Sequence, residues 1–160
     1  MLAPLTIHLP DERATRALGA QLAAALQPGI SIHLAGDLGA GKTTLARGLI
    51  QALGFAAKVK SPSYTLVEPY ENSRLTLYHF DLFRFNDPIE WWEAGFRECF
   101  GGPAICLVEW PEKAAGLLPP PDLRVRLAMP ASGGRDAIVE GDTELGRWCL
   151  SELAQHYSAR

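Results

Sequence analysis

Cysteine is scarce in this chain: Cys99, Cys106 and Cys149 are the only three in 160 residues, an odd number with no CxxC pair among them. That usage argues against a disulfide framework or a zinc site and favours a reducing compartment, with the cytosol the best fit. Long hydrophobic runs are lacking too. No stretch approaches the roughly eighteen apolar residues needed to span a bilayer, and the first thirty residues carry Asp11, Glu12, Arg13 and Arg16 in place of a signal-peptide core. Neither secretion nor membrane insertion is expected.

Massed positive charge is absent as well, since fifteen Lys and Arg are scattered among eighteen Asp and Glu for a net charge of −3. Autonomous electrostatic binding to nucleic acid is thereby poorly supported, and any RNA involvement is expected to pass through a partner. There is no internal repeat, and no low-complexity segment beyond Pro119-Pro120-Pro121. With 48% hydrophobic and 21% charged residues, the chain has the balance of a folded protein rather than a disordered one. Its length suits one domain, residues 1–160, and leaves no room for a second, substrate-binding one.

What is present is a glycine-rich loop. Gly36-Asp37-Leu38-Gly39-Ala40-Gly41-Lys42-Thr43 follows the apolar stretch from Ile30 to Ala35 and runs, from Thr44 on, into a segment of helical periodicity that reaches Leu53. Glycines at such a bend let consecutive backbone N–H groups turn inward around a polyphosphate. Lys42 then reaches the β and γ phosphates, the Thr43 hydroxyl holds magnesium, and the phosphates sit at the positive end of the helix. A nucleoside triphosphate is the leading ligand.

Around this loop the pattern predicts a short strand at 5–9 and a helix opened by Pro10-Asp11 and stopped by Pro28-Gly29. Two β-like runs, 65–70 and 74–83, read as an antiparallel hairpin, and 88–99 reads as a helix. The uniformly apolar run 104–108 suits a mid-sheet strand covered on both faces. Strands near 123–127 and 137–140 follow, then a last helix capped by Asp142 or Thr143 that carries Leu145, Trp148, Cys149 and Leu153 on its apolar side. The expected fold is α/β: a phosphate-loop domain whose mixed, mainly parallel central sheet is flanked by helices and an antiparallel hairpin.

A magnesium-bearing phosphate loop needs an acidic side chain at the end of a nearby strand. Asp81 and Glu109 both end strand-like runs. The run before Asp81 alternates as a half-exposed strand does, whereas the one before Glu109 has the character of a buried parallel strand beside the loop, which favours Glu109 for the metal. Asp81 is then the candidate for organising water or magnesium near the γ phosphate, although the two roles are open to exchange. The bland alternative for either is a solvent-facing strand end or a structural ion pair.

Ser61 to Thr65 is rich in hydroxyls and suits either a switch that senses the γ phosphate or a plain turn. His79 reads as a packed or surface residue rather than a base, and Arg84 as a surface salt-bridge partner. Trp91 and Trp92 are adjacent on a predicted helix and so face different ways, and Trp110 reads first as packing. No motif marks adenine contacts; Thr6 to Thr15 and Ser132 to Arg135 are candidates.

Together, Gly36-Asp-Leu-Gly-Ala-Gly-Lys-Thr-Thr44, Ser61-Pro-Ser-Tyr-Thr-Leu-Val67, His79-Phe-Asp-Leu-Phe-Arg84 and Leu107-Val-Glu-Trp-Pro-Glu-Lys113 resemble the bacterial TsaE family, also called YjeE. The resemblance implies a small ATPase needed for N6-threonylcarbamoyladenosine formation in tRNA, acting with TsaB and TsaD. It implies ATP and magnesium as cofactors, with Lys42 and the amides of Gly36 to Thr44 on the phosphates, Thr43 and Glu109 on the metal, and Asp81 supporting hydrolysis. Ser61 to Thr65 matches the family's switch-like segment. Two departures stand out: Ser63 replaces a common Thr and keeps the hydroxyl, while Phe83 replaces a common Tyr and removes a phenolic donor. A small-molecule kinase and a nucleotide-gated binding module remain as alternatives, the first disfavoured by the lack of a lid or acceptor-binding insert.

Overall fold

The computed structural model describes residues 3–55 and 66–158. Strand β1 (Leu5–Leu9) leads into helix α1 (Glu12–Ala25), whose first turn is capped by Asp11, the side chain accepting from the Ala14 amide at 2.8 Å. Strand β2 (Ser31–Gly36) is followed by the glycine-rich loop and helix α2 (Lys42–Ala52). The hairpin is β3 (Val67–Glu71) and β4 (Thr76–Asp81), closed where the Asn72 amide donates to the Leu75 carbonyl at 3.0 Å.

The helix predicted over 88–99 is two pieces: α3 (Pro88–Glu93) and a 3-10 turn at Phe96–Cys99, separated by Gly95 with φ of 68°. That left-handed residue ends the α-helical hydrogen bonding. Strand β5 (Ile105–Glu109), a 3-10 turn at Pro111–Ala114, β6 (Leu123–Ala128), β7 (Arg135–Gly141) and α4 (Glu144–Ser158) complete the order. Of the two candidate caps for α4, Thr143 takes the role, its hydroxyl oxygen accepting from the Gly146 amide at 3.1 Å and donating to Asp122 at 2.7 Å.

All seven strands form one sheet in the order β1-β7-β6-β2-β5-β4-β3. The central four, β6-β2-β5-β4, are parallel, and antiparallel pairs finish both edges. This is the expected mixed α/β architecture. Every β5 residue is buried, as its uniform apolarity required. On one face Leu18, Leu22, Leu45, Leu49, Cys149 and Leu153 of α1, α2 and α4 pack on Ile32, Leu34, Leu107, Val125 and Val139. On the other, Trp91, Phe96 and Phe85 cover Phe80, Cys106 and Val108, the far sides of β4 and β5. Trp91 is fully buried and its neighbour Trp92 is 55% exposed, so the adjacent pair does split between core and solvent. Trp148, placed by its spacing on the apolar side of α4, is instead 45% exposed, because that helix buries a narrower stripe through Cys149, Leu150 and Leu153.

Helices α1 and α2 meet backbone to backbone. A Cβ on Gly19 would lie 2.2 Å from the Leu45 carbonyl oxygen, and one on Gly48 would lie 2.2 Å from that of Arg16. Gly48→Ala should force the helices apart and destabilise the fold by about 1–3 kcal/mol, read as a lower urea midpoint at unchanged slope.

The outer face of β6, β7 and β1 carries polar side chains, among them His33 at its margin, aligned with Arg124 in the register of β2 and β6. Burial first, and then the Arg124 charge, lower the His33 pKa from 6.5 to about 4. The unfolded ring therefore takes up a proton as pH falls through 6.5, and the folded ring resists until about 4. Stability supplied by the neutral ring should drop by roughly 2 kcal/mol between pH 6.5 and 5. Comparing urea unfolding of the wild type and His33→Gln across that interval tests this, with a flatter profile expected for the variant.

Candidate phosphate and metal site

Strand β2 ends where the chain must turn away from the sheet, at the carboxyl ends of the parallel strands, the position where open α/β sheets bind ligands. The turn is made by Gly36 to Gly41, and Gly41, with φ of 105°, occupies the residue before the first turn of α2. A side chain there would be strained. The loop therefore presents the free N–H groups of a helix start, which carry a partial positive charge.

Lys42 opens α2 and is only 5% exposed. Its Nζ donates to the carbonyls of Gly36 at 2.6 Å and Asp37 at 3.0 Å, and lies 4.1 Å from the centre of the Trp110 ring. Burial pushes its pKa below the usual lysine value, opposed by the carboxylates of Glu109, Glu112, Asp81 and Asp37. The ammonium is thus held over the loop by carbonyl oxygens and an aromatic face, contacts that a phosphate oxygen is chemically equipped to replace.

Thr43, the next residue, points at β5. Its hydroxyl donates to Glu109 Oε1 at 3.2 Å, and Glu109, 2% exposed, receives His79 Nε2 on its other oxygen at 2.5 Å. Asp81 lies beside Glu109 in the β4–β5 register, and its Oδ1 accepts from the Phe83 amide at 3.1 Å. The sequence pattern gave Asp81 a half-exposed strand, but the end of β4 is buried, because the strand runs between β3 and β5 with Trp91 and Phe96 on its far side. Both acids thus stand at adjacent strand ends, and of the two it is Glu109 that touches Thr43.

Two contributors escaped the sequence reading. His79, a packed or surface residue by its sequence pattern, is fully buried and bonded to Glu109; its spacing of two from Asp81, which puts both on one strand face, is the available signal. Arg135 was named only within a turn. Its guanidinium donates to the carbonyls of Ala40 at 3.2 Å and Gly39 at 3.1 Å, tying the β7 start to the loop. Beside it lies a cavity of about 320 Å³ lined by Leu9, Pro10, Asp11, Glu12, Thr15, Gly39 to Gly41, Thr44, Gly134 and Arg135. Both segments named as adenine candidates contribute to that lining.

Trp110 adopts φ of 58°, rare for a residue with a side chain, and its ring lies between Lys42 and Phe83, whose ring centre is 4.9 Å away. Phe83 therefore keeps this aromatic contact without a phenolic oxygen. Arg84 is exposed. Ser61 to Thr65 lies outside the described residues, so its switch reading has no geometry here. All three cysteines are free thiols, and burial pushes Cys106 and Cys149 up to about 12, which keeps them protonated and unreactive.

A family model described as threonylcarbamoyl adenosine biosynthesis protein TsaE matches residues 9–137. The chain belongs to the TsaE family. A TsaE named as a tRNA threonylcarbamoyladenosine biosynthesis protein from Haemophilus influenzae is 45% identical over 155 residues, covering 94% of this chain and 98% of its own. Its namesake from Bacillus subtilis is 34% identical over 147 residues, covering 92% and 90%. The crystal structure of Bacillus subtilis YdiB superposes with a TM-score of 0.78 at 28% identity, covering 98% of this chain and 97% of that one. Of the four segments that carry the TsaE resemblance, those around Lys42, Asp81 and Glu109 converge at one end of the sheet. Among the described residues, no helix is long and apolar enough to cross a membrane.

Proposed function

We propose that this TsaE chain is the ATP-binding and ATP-hydrolysing subunit of a system that forms N6-threonylcarbamoyladenosine in tRNA, working with TsaB and TsaD and reaching tRNA through that complex. The observation that carries this reading is the junction of Lys42, Thr43 and Glu109 at the start of α2. The amides from Gly36 to Thr44 and the Lys42 ammonium bind the phosphate tail. The cavity beside Arg135 takes the purine ring.

The donor set fits magnesium. A Thr hydroxyl and a Glu carboxylate in contact are hard oxygen donors, and magnesium typically takes one or two of these from protein, filling the rest of its shell with phosphate oxygens and water. Among the described residues no group of three or more His, Cys, Asp or Glu forms a self-sufficient metal cage. When bound, the metal neutralises charge on the β and γ phosphates. Thr43 and Glu109 hold it, Lys42 compensates charge on the same oxygens, and Asp81 orients the attacking water. Turnover by the chain alone is weak, because a further cation supplied by a partner accounts for about three to five orders of magnitude in other phosphate-loop enzymes.

Titration calorimetry with magnesium and ATP or GTP, followed by phosphate release with and without TsaB and TsaD, tests the reading. Binding of ATP and a partner-dependent rise in release are expected. Unchanged release would reduce the chain to a nucleotide-gated binding module.

A further inference from the structure

We propose that His79 is a positioning residue that sets the orientation of Glu109 toward magnesium, an inference that rests on the ATP reading above. Glu109 has two carboxylate oxygens with different partners: Oε1 faces the Thr43 hydroxyl at 3.2 Å, and Oε2 meets His79 Nε2 at 2.5 Å. A carboxylate only accepts, so the imidazole proton sits on Nε2 and donates. One end of the carboxylate is pinned to the floor of the site, which aims the other at the metal side of α2.

Placement follows from the sheet. His79 lies opposite Leu107 in the β4–β5 register, one step of two residues before the Asp81–Glu109 pair and on the same face. Its ring therefore sits beneath Glu109, closed off from solvent, and the histidine is 0% exposed against 2% for the glutamate. The other ring nitrogen, Nδ1, is buried with no hydrogen-bond partner among the described residues. An apolar side chain at this position would avoid that cost. A histidine that served packing alone has no use for a strong bond on one side and an unmet nitrogen on the other; one that orients a metal ligand does.

The test is a comparison of ATP affinity with magnesium and with EDTA for wild type, His79→Leu, His79→Gln and His79→Asn, by calorimetry, with thermal midpoints recorded alongside. Partners of metal ligands typically contribute about 10- to 100-fold in metal affinity. His79→Leu should therefore lose roughly tenfold or more of the affinity gain from magnesium, while its affinity in EDTA stays close to that of wild type. Gln places an amide nitrogen near the Nε2 position and should restore most of the gain. Asn is too short and should behave as Leu.

A lowered thermal midpoint with the full magnesium gain retained in His79→Leu and His79→Asn would show a packing role and overturn the proposal. Equal loss with and without magnesium would overturn it too. If His79→Leu does not fold, the contrast between Gln and Asn decides, and identical magnesium gains in those two variants count against orientation. Wild type that binds no ATP under either condition would instead remove the ATP reading itself, an outcome distinct from any of these.

Discussion

Replacing Lys42 with alanine is expected to lower magnesium-ATP affinity and turnover by about 10²-fold or more while the protein stays folded. The ammonium is held over the start of the loop, bonded to the carbonyls of Gly36 and Asp37 and seated on Trp110. Burial pushes its pKa below the usual lysine value, so the folded chain bears a cost for keeping the charge there. Removing a group under that penalty relieves it, which offsets the loss of the bonds to the Gly36 and Asp37 carbonyls and of the ammonium's contact with Trp110. Stability should therefore change by no more than about 1 kcal/mol. Calorimetry beside a urea melt separates the two effects. Wild-type affinity in a folded variant would take Lys42 out of the site.

Glu109→Ala is expected to act differently, cutting magnesium-dependent turnover by about 10²–10³-fold while nucleotide binding in EDTA changes little. Unlike Lys42, Glu109 is bonded on both oxygens, and its loss leaves the Thr43 hydroxyl and the His79 imidazole facing an apolar gap. His79 is a fully buried donor, and leaving it without an acceptor costs roughly 1–3 kcal/mol, so this variant should also melt earlier. Single-turnover phosphate release across a magnesium titration reads the catalytic loss, and Glu109→Gln, which keeps an acceptor, distinguishes it from the stability loss. Turnover equal to wild type in either variant would move the metal role elsewhere, with Asp81 the next candidate.

The sheet was largely legible because its signals are local. Apolar run length marked β5 as covered on both faces, glycine and proline marked the ends of α1 and α2, and the loop between β2 and α2 declared itself by spacing alone. What failed was non-local. Alternation along β4 suggested an open face, yet His79 and Asp81 are buried by neighbours from distant sequence, and only the pairing with β5 shows that His79 sits under Glu109. Arg135 is similar: nothing in a turn after Gly133-Gly134 announces that its guanidinium spans to Gly39 and Ala40. The helix over 88–99 was misjudged for a local reason, the left-handed Gly95, which composition allows but does not demand. Trp148 shows that a periodic apolar position is not always a buried one.

The contact of Gly19 with Leu45 and of Gly48 with Arg16 has a mechanical corollary. Helices α1 and α2 begin on either side of the cavity beside Arg135, one contributing Asp11 and Glu12 and the other Gly41 and Thr44. Backbone lies against backbone at these two points with no room for a side chain, so a shift at the start of α2 requires α1, and with it the opposite wall of the pocket, to shift as well.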